Sequence, residues 1–364
     1  MVSSATGHLI IGTVDNPVEA NVDVDLIVAD NGRIDTGWDP MLLSRGIIAH
    51  GTTTIHGADK DSHEKVTDDP MSGDTSVQFA EVPAGWQVGD TIVIAGTHYD
   101  GWSGNRQTYH PPEDEVRVIT QIDDDGRIHF EEALVHDHDT PRDDLFTSVA
   151  NYTRNVSVES ENAEDLEVFE RGHVMFMHSD NVDVRYAEFT ELGRTDKSIE
   201  ARDISNIDNV RFDSNVQGRY SLHLHRTGTT DIENPAVLEG NAVFGSPGWG
   251  VVHHDSNAVI TNTATYDTFG AGFVAETGNE TGVWDDNIAI FAQGVHWGTP
   301  KNTSDIGSDI FDTARGGEGF WFQGRMVAST NNIAASVNNG FAYFHRDGDN
   351  RIIEFDSSFF DYDA

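Results

Sequence analysis

Short runs of alternating apolar and polar residues, separated by turn-forming residues, recur along the chain. In NVDVRYAEFTEL, for example, apolar residues alternate with polar ones, which is typical of a β-strand with one buried face. Runs of this kind are separated by Asn, Asp and Gly, and no apolar pattern with helical spacing extends over three turns. The chain is therefore predicted to be all-β.

Glycines recur in the second half of the chain with a nearly constant spacing. Gly248, Gly270, Gly294, Gly317 and Gly340 are separated by 22, 24, 23 and 23 residues. The similar phrases GWGVVHH, GAGFVAE, GEGFWFQ and GFAYFHR begin at four of them. A period near 23 with short β-prone phrases predicts a parallel β-helix. No coil can bury its own apolar face, so successive coils must stack on one shared core.

The first 150 residues have a different pattern. RVITQIDDDGRIHFEEAL predicts a hairpin with its turn at Asp125 and Gly126. HYDGWSGNRQTYHPPEDE predicts a long polar loop, and the segment 299–316 predicts a second one. A change of pattern follows HDHDTPRDD. We therefore predict a β-rich domain over residues 1–150 and a β-helix over residues 151–364.

The charge of the chain is strongly negative. Lys and Arg total 22 against 62 Asp and Glu, a formal net charge of −40, and only four residues are lysine. A hydrophobic content of 37% and an aromatic content of 9% indicate a folded protein rather than an acidic disordered one. We interpret the acidic surface as adaptation to molar salt, where the Debye length is about 3 Å and an anionic ligand is not excluded. Nucleic acid is excluded as a partner because no basic stripe exists.

The absence of cysteine limits the chemistry of any site. A metal ion would have to be bound by His, Asp, Glu or backbone oxygen. No stretch approaches 18 apolar residues, so no membrane span is expected. The start of the sequence, MVSSATGHLIIG, lacks the features of a signal peptide. Either the protein stays inside the cell, or this sequence begins after a removed signal.

Histidines occur at matching positions of the predicted coils. When the phrases are aligned on their leading glycines, His223 and His253 lie five residues on, and His178 and His254 lie six residues on. Stacked parallel strands are about 4.8 Å apart, so side chains at one position on neighbouring coils can share a ligand. Because adjacent residues of a strand face opposite sides, one column is expected to point outward and the other into the core.

The clearest element of these columns is His223-Leu-His225. Both imidazoles should lie on the outer face, with Leu222 and Leu224 in the core, and stacking should bring His253 and Asp255 beside them. Imidazoles with a carboxylate suit zinc, nickel or manganese, whereas calcium prefers oxygen ligands. Such an ion could bind a sugar carboxylate or acidify the proton next to it. The candidate metal ligands are His178, His223, His225, His253 and His254. The alternative is a stack of half-buried, hydrogen-bonded histidines without a metal.

Catalytic and substrate-binding candidates surround the same position. Asp255 and Glu276 could form an acid–base pair for glycoside hydrolysis, although a chain with 62 acids produces such pairs by chance. The candidate catalytic residues are His223, His225, His253, Asp255 and Glu276. Arginine can bind a carboxylate in a bidentate manner, and aromatic rings can stack on sugars. The candidate substrate-binding residues are Arg226, Arg194, Lys197, Tyr220 and Trp249. Their alternatives are pairing with neighbouring acids and packing in the core.

The chain also resembles a known family. RGIIAHGTTTIHGADKDSHEKVT and PAGWQVGDTIVIAGTHYD are similar to the G-eight (eight-glycine) domain. HVMFMHS, LGRTDK, YSLHLH and GAGFVAETG, in this order, resemble the β-helix that follows that domain in the family of the cell-migration-inducing hyaluronan-binding protein and the transmembrane hyaluronidase. The resemblance covers roughly residues 8–345.

This resemblance implies an N-terminal G-eight-like domain and a right-handed parallel β-helix outside the cell or at its surface. It also implies action on, or binding of, a long polysaccharide. We therefore expect a metal-assisted enzyme, a hyaluronidase-like glycosidase or a lyase, that depolymerises an acidic polysaccharide. The extreme acidity indicates a halophilic source, where hyaluronan is not an obvious substrate. The alternatives are a non-catalytic surface module that binds glycan or protein, and a purely structural β-helix.

Overall fold

The structure is a computed structural model. It describes residues 1–98, 110–140, 142, 144–179, 181–295 and 313–344. Most of both predicted loops, HYDGWSGNRQTYHPPEDE and 299–316, lies outside these residues.

The chain winds into a parallel β-helix from its first residues. Coil 1 comprises β1 (Val2–Ser3), β2 (His8–Ile11) and β3 (Val24–Val28). Coil 2 begins with β4 (Gly46–Ala49) and β5 (Thr52–His56). An inserted domain then follows, with strands β6 (His63–Lys65), β7 (Ser76–Gln78), β8 (Thr91–Ile94), β9 (Glu115–Ile122), β10 (Arg127–Phe130) and β11 (Ser148–Asn151). Coil 2 is completed by β12 (Val156–Ser160).

The next three coils contain most of the candidate residues. A 3-10 turn, η1 (Val168–Glu170), precedes coil 3, and η2 (Ile204–Asn206) precedes coil 4. Coil 3 comprises β13 (His173–Met177), β14 (Val182–Arg185) and β15 (Glu188–Thr190). Coil 4 comprises β16 (Leu222–Gly228), β17 (Ala236–Glu239) and β18 (Ala242–Ser246). Coil 5 comprises the long strand β19 (Val251–Thr261) and β20 (Ala264–Phe269).

The remaining strands continue the same path. Coil 6 comprises β21 (Ala271–Ala275), β22 (Thr281–Asp285) and β23 (Ile288–Gln293). Coil 7 comprises β24 (Glu318–Phe322), β25 (Met326–Thr330) and β26 (Ile333–Val337), and coil 8 begins with β27 (Asn339–Tyr343). Gly294 was expected to begin a coil, but β24 pairs directly with β21. The path between Gly270 and Gly317 is therefore a single coil.

Three parallel faces result from this winding. Face 1 is formed by the first strand of each coil, face 2 by the second and face 3 by the third, with β19 contributing to both face 1 and face 2. The prediction of an all-β parallel β-helix is confirmed. The predicted boundary at residue 150 differs from the strand pairing, since β1 to β5 belong to the β-helix and the insertion lies between β5 and β12. The G-eight assignment stays a prediction.

The interior between the faces is dry and layered. Leu222 and Leu224 are fully buried in it, as predicted. Equivalent residues of successive coils stack on each other, as in Phe273, Phe320 and Phe341, whose ring centroids are 4.8 and 4.9 Å apart. This spacing is that of neighbouring parallel strands. Each coil thus covers the apolar side chains of the next.

Left-handed residues mark the corners of the β-helix in register. Between faces 1 and 2, His178, Arg226 and Asp255 have φ angles of 52°, 57° and 47°. A residue in this conformation bends the strand and interrupts the strict alternation of side chains. Between faces 2 and 3, Asn262 and Asp286 are equivalent residues of coils 5 and 6 with φ angles of 46° and 56°. Polar side chains are therefore placed in rows along the corners.

An asparagine ladder stabilises the corner between faces 2 and 3. Asn287 is fully buried, donates to the carbonyl of Ile260 at 2.9 Å and accepts from the backbone N–H of Thr263 at 3.1 Å. Asn241 on coil 4 and Asn332 on coil 7 make similar bonds, to the carbonyls of Val184 and Trp284. These side chains satisfy backbone groups that leave the sheets at the turn.

Replacing Asn287 tests the ladder. Asn287→Ala leaves buried backbone groups of Ile260 and Thr263 without partners, so we expect the free energy of unfolding to fall by about 3 kcal/mol. Urea unfolding measures this change. Asn234→Ala, which removes an exposed bond to Asp231, is the control and should alter stability by less than about 0.5 kcal/mol. Equal effects of both substitutions would contradict this account of the ladder.

Candidate functional site

The outer side of face 1 carries a column of polar side chains on consecutive coils. His225 is in register with Met177 of coil 3 and with His254 of coil 5. Glu276 lies on coil 6, directly after β21. Its N–H donates to the carbonyl of His253, so Glu276 lies beside His254 of coil 5. Gln323 occupies the next coil in the same way. Parallel pairing thus brings together side chains that are far apart in sequence.

The register differs by one residue from the predicted alignment. Leu224, not His223, pairs with His253, because Gly218 is not the equivalent of Gly248. His253 therefore faces the core, where it is fully buried, bonds through Nε2 to the carbonyl of Ser256 at 2.7 Å and lies near Trp284. The expectation that His253 lies beside His223 and His225 is wrong. His254 takes the place on the outer face, because a shift of one residue exchanges the two sides of a strand.

Three imidazoles converge on this face. One ring nitrogen of each of His223, His225 and His254 lies within 4.8 Å of the others. The ring centroids of His223 and His225 are 5.0 Å apart, and those of His225 and His254 are 4.6 Å apart. His223 is fully buried, and the other two are partly buried. We call these three residues the histidine cluster.

Two members of the histidine cluster are oriented by acceptors outside it. Nδ1 of His223 bonds to the carbonyl of Gly218 at 3.0 Å, which requires a proton on Nδ1 and leaves the lone pair on Nε2. Nε2 of His254 lies 3.4 Å from Oδ2 of Asp255, and that same oxygen lies 3.3 Å from Nε of Arg226. Carbonyls and carboxylates that fix the outer ring nitrogen are the usual partners of metal-binding histidines.

A carboxylate lies against the histidine cluster. Oε2 of Glu276 is 3.1 Å from Nδ1 of His254 and 3.9 Å from Nε2 of His223. Burial alone would lower the pKa of His254, but the charges of Glu276 and Asp255 raise it to about 10. Burial alone would raise the pKa of Glu276, but His254 lowers it to about 2. Without a metal, His254 and Glu276 therefore form a buried ion pair.

The other two histidines are neutral. Burial lowers the pKa of His223 to about 4. Burial and the adjacent charges of His223 and His254 lower the pKa of His225 far below its usual range. Neutral imidazole is the form that binds a metal ion. The site therefore combines two neutral imidazoles with one that must lose a proton before it can coordinate.

Unpaired buried atoms provide a test of whether a metal fits. Among the described residues of the histidine cluster, Nε2 of His223 and Nδ1 of His225 are buried without a hydrogen-bond partner, beside the ion pair of His254 Nδ1 and Glu276 Oε2. Buried polar atoms without partners are costly, and here they lie on neighbouring side chains. Three nitrogens and one carboxylate oxygen form a donor set suited to zinc, nickel or manganese. The residues present therefore fit such an ion.

His178 lies at the edge of the histidine cluster. It is exposed, its ring centroid is 5.9 Å from that of His225, and its N–H donates to the His225 carbonyl at 2.9 Å. It occupies the corner row with Arg226 and Asp255 rather than the column of His225. It is adjacent to the site but outside the group of three converging nitrogens.

Most of the predicted substrate-binding residues are buried. Tyr220 and Trp249 have no exposed surface and stack with centroids 4.7 Å apart, and Nζ of Lys197 lies 3.8 Å above the Trp249 ring. Arg194 is buried and donates to the carbonyl of Leu42. Stacking of Tyr220 or Trp249 on a sugar is incompatible with this burial. Arg226 differs, since 55% of its side chain is exposed.

Sequence reasoning did not identify the role of Gly218. Its carbonyl selects the tautomer of His223, but a backbone acceptor leaves no signal in residue type. His254 was among the predicted metal ligands. Only the register in which it was aligned with its neighbours was wrong. The predicted column six residues after the leading glycines included His254 and Glu276 but aligned them with Leu224 instead of His225.

A known family model matches part of the β-helix. Residues 197–353 match the family model described as CEMIP beta-helix. This segment includes the whole histidine cluster, Asp255 and Glu276. The resemblance to this family is therefore confirmed for residues 197–353. No curated protein matches the chain significantly.

The chain also matches solved structures of phage tailspikes. The chain is similar to the tailspike protein gp49 of Pseudomonas phage LKA1 (10% identity, TM-score 0.23, covering 93% of this chain and 54% of that one). It is also similar to the Gp54 tailspike of Acinetobacter baumannii bacteriophage AP22, solved in complex with A. baumannii capsular saccharide (11%, 0.22, 91% and 52%). A third is the tailspike gp61 of Pseudomonas phage phi297 (8%, 0.22, 93% and 64%). The chain spans about half to two thirds of these tailspikes, and TM-scores this low define neither function nor detailed shape.

The ion pair of His254 and Glu276 predicts the pH dependence of metal-free protein. The raised pKa of His254 stabilises the fold fully below pH 6.5, and this contribution is lost as the pH rises through about 10. The lowered pKa of Glu276 stabilises the fold fully above pH 4.5, and this contribution is lost as the pH falls through about 2. The stability difference between the native protein and Glu276→Gln should therefore be largest between pH 4.5 and 6.5 and shrink near pH 10. Urea unfolding in chelator measures it, and a constant difference would show that the pair is not formed.

Proposed function

We propose that this protein depolymerises an acidic polysaccharide at the histidine cluster of face 1, with the help of a divalent metal ion, outside the cell or at its surface. One observation carries the proposal. Buried nitrogens of His223 and His225 without hydrogen-bond partners lie beside the ion pair of His254 and Glu276 on the outer wall of a β-helix. A core-packing role does not explain these two nitrogens, because neither has a partner.

Each side chain has a distinct task in this proposal. His223, His225 and His254 would bind the ion, which supplies Lewis-acid activation of a sugar carboxylate or of water. The carbonyl of Gly218 and the carboxylate of Asp255 hold the rings in position. Glu276 is ionised and can accept a proton from the substrate or from water. His254 carries a proton in metal-free protein, so binding of the ion must release it.

The protonation states weigh against hydrolysis by two carboxylates alone. Such hydrolysis needs one protonated carboxylic acid to donate to the leaving oxygen. The pKa of Asp255 is lowered, as burial is outweighed by bonding and charge from His254, and the pKa of Glu276 is about 2. Both groups are ionised at neutral pH. Metal-assisted cleavage does not require either of them to hold a proton.

An acidic polysaccharide is supported by the residues at the rim. Arg226 is largely exposed next to the histidine cluster, and its Nε is only partly engaged by Asp255 at 3.3 Å. A guanidinium can bind a sugar carboxylate in a charge-assisted manner. The match of residues 197–353 to the CEMIP beta-helix model supports a glycan as ligand. In molar salt the net charge of −40 repels a polyanion only at contact distance.

Metal content provides the direct test. Protein purified in high salt should contain about one equivalent of zinc, nickel or manganese by elemental analysis, as one tetrahedral site requires. The double substitution His223→Ala and His225→Ala should abolish both the metal and the release of oligosaccharides. His8→Ala, at an exposed position on coil 1, should change neither.

The products distinguish the possible activities. Elimination leaves an unsaturated sugar with ultraviolet absorbance, whereas hydrolysis incorporates an oxygen atom from labelled water. Polysaccharide affinity that survives both the chelator and the double substitution, without any product, would reject the enzyme and favour the non-catalytic glycan-binding module.

Arg226→Ala tests the recognition of the acidic group. Loss of a charge-assisted contact worth about 1.5–3 kcal/mol should raise the KM for an acidic polysaccharide by about 10- to 100-fold. The metal content should remain that of the native protein. Arg142→Ala removes an exposed arginine paired with Asp144 and serves as the control. If steady-state kinetics give the same KM for both variants, Arg226 does not bind the substrate.

A further inference from the structure

Next to the histidine cluster, the backbone passes the corner between faces 1 and 2 differently on coil 4 and on coil 5. In coil 4 the chain leaves β16 and reaches β17 through a loop, but in coil 5 β19 runs through the corner without a break. Asp255, like its equivalent Arg226 on coil 4, is left-handed at this corner, with a φ of 47°. Its backbone N–H then needs a partner from coil 6, where the strand has already ended at Ala275.

Glu280 supplies that partner. It has no exposed surface, and its Oε1 accepts from the N–H of Asp255 at 3.2 Å and from the N–H of Thr277 at 2.7 Å. Its Oε2 accepts from the N–H of Gly278 at 2.7 Å. One buried carboxylate therefore ties the corner of coil 5 to the turn of coil 6.

These bonds determine the spacing of the site. Asp255 follows His254 on coil 5, and Thr277 follows Glu276 on coil 6. Glu280 holds both following residues by their backbones, so it fixes how far His254 lies from Glu276. Their 3.1 Å separation is the closest contact between the histidine cluster and a carboxylate. A small displacement of either backbone would change the distance between His254 and Glu276.

We propose that Glu280 is the positioning residue of the site and sets the distance between the histidine cluster and Glu276. This inference rests on the proposed function for its activity consequences, but its geometry stands independently. Glu280 touches neither the ring nitrogens nor the Oε2 atom of Glu276. It acts through the backbones of Asp255 and Thr277.

Glu318 offers a matched control. It is also a buried glutamate, and it accepts from the N–H of Gly316 at 2.9 Å at the start of coil 7. It thus secures a turn of the same β-helix by the same type of bond. Glu318→Gln should cost stability in the same way as Glu280→Gln but leave the spacing of the histidine cluster intact.

The experiment compares Glu280→Gln with Glu318→Gln by zinc titration calorimetry at a temperature where both are folded. The amide of Glu280→Gln has one acceptor oxygen where the carboxylate has two, so its NH₂ group must face at least one of these backbone N–H groups, and the link between the two coils is weakened. We expect zinc affinity to fall by about 10- to 100-fold in Glu280→Gln, as for other supporting residues of metal sites. It should stay within about twofold of the native value in Glu318→Gln. If Glu280→Gln does not fold, Glu280→Asp, which keeps the charge but shortens the reach, replaces it.

A crystal structure of the metal-free variant separates the two hypotheses. If the native protein binds no zinc, the proposed metal-assisted function fails, whereas the positioning role is still decided by the distance from Nδ1 of His254 to Oε2 of Glu276. Lengthening of this distance in Glu280→Gln but not in Glu318→Gln supports the role. An unchanged distance overturns it, and so do equal zinc affinities of the two variants when the native protein binds zinc.

Discussion

Parallel pairing between successive coils is the constraint on which the rest of this structure depends. Each strand contacts its equivalents about 4.8 Å away, so side chains from distant parts of the sequence form rows. Inside the β-helix the rows are apolar, as in the stacked rings of Phe273, Phe320 and Phe341. On the outer side of face 1 the same pairing aligns His225, His254 and Glu276. The same strand pairing therefore builds both the core and the site.

The site exists because the outer surface of face 1 is largely covered there. Burial removes solvent from His223 and Glu276, which makes unpaired polar atoms costly and strengthens the attraction between opposite charges. A positive charge on His254, or a metal ion in its place, compensates for Glu276.

Much of the architecture could be predicted from residue patterns. The glycine period and the β-prone phrases indicated a parallel β-helix. The position of the inserted domain could not be predicted, because β4 and β5 are short and their partners β13 and β14 lie more than a hundred residues further on. Local alternation reveals a strand but not the partner with which it pairs.

The sequence by itself determined the fold class and the chemical types at the site, because periodicity and donor atoms are properties of residue order and residue type. It placed His223, His225, His254 and Glu276 among the candidates. Only the tertiary structure decided that His254 and not His253 joins His223 and His225. A strand has a side-chain period of two, so a register shift of one residue moves a side chain from the outer wall to the core. The pairing of Leu224 with His253 is settled by the packing of whole coils, which no single segment specifies.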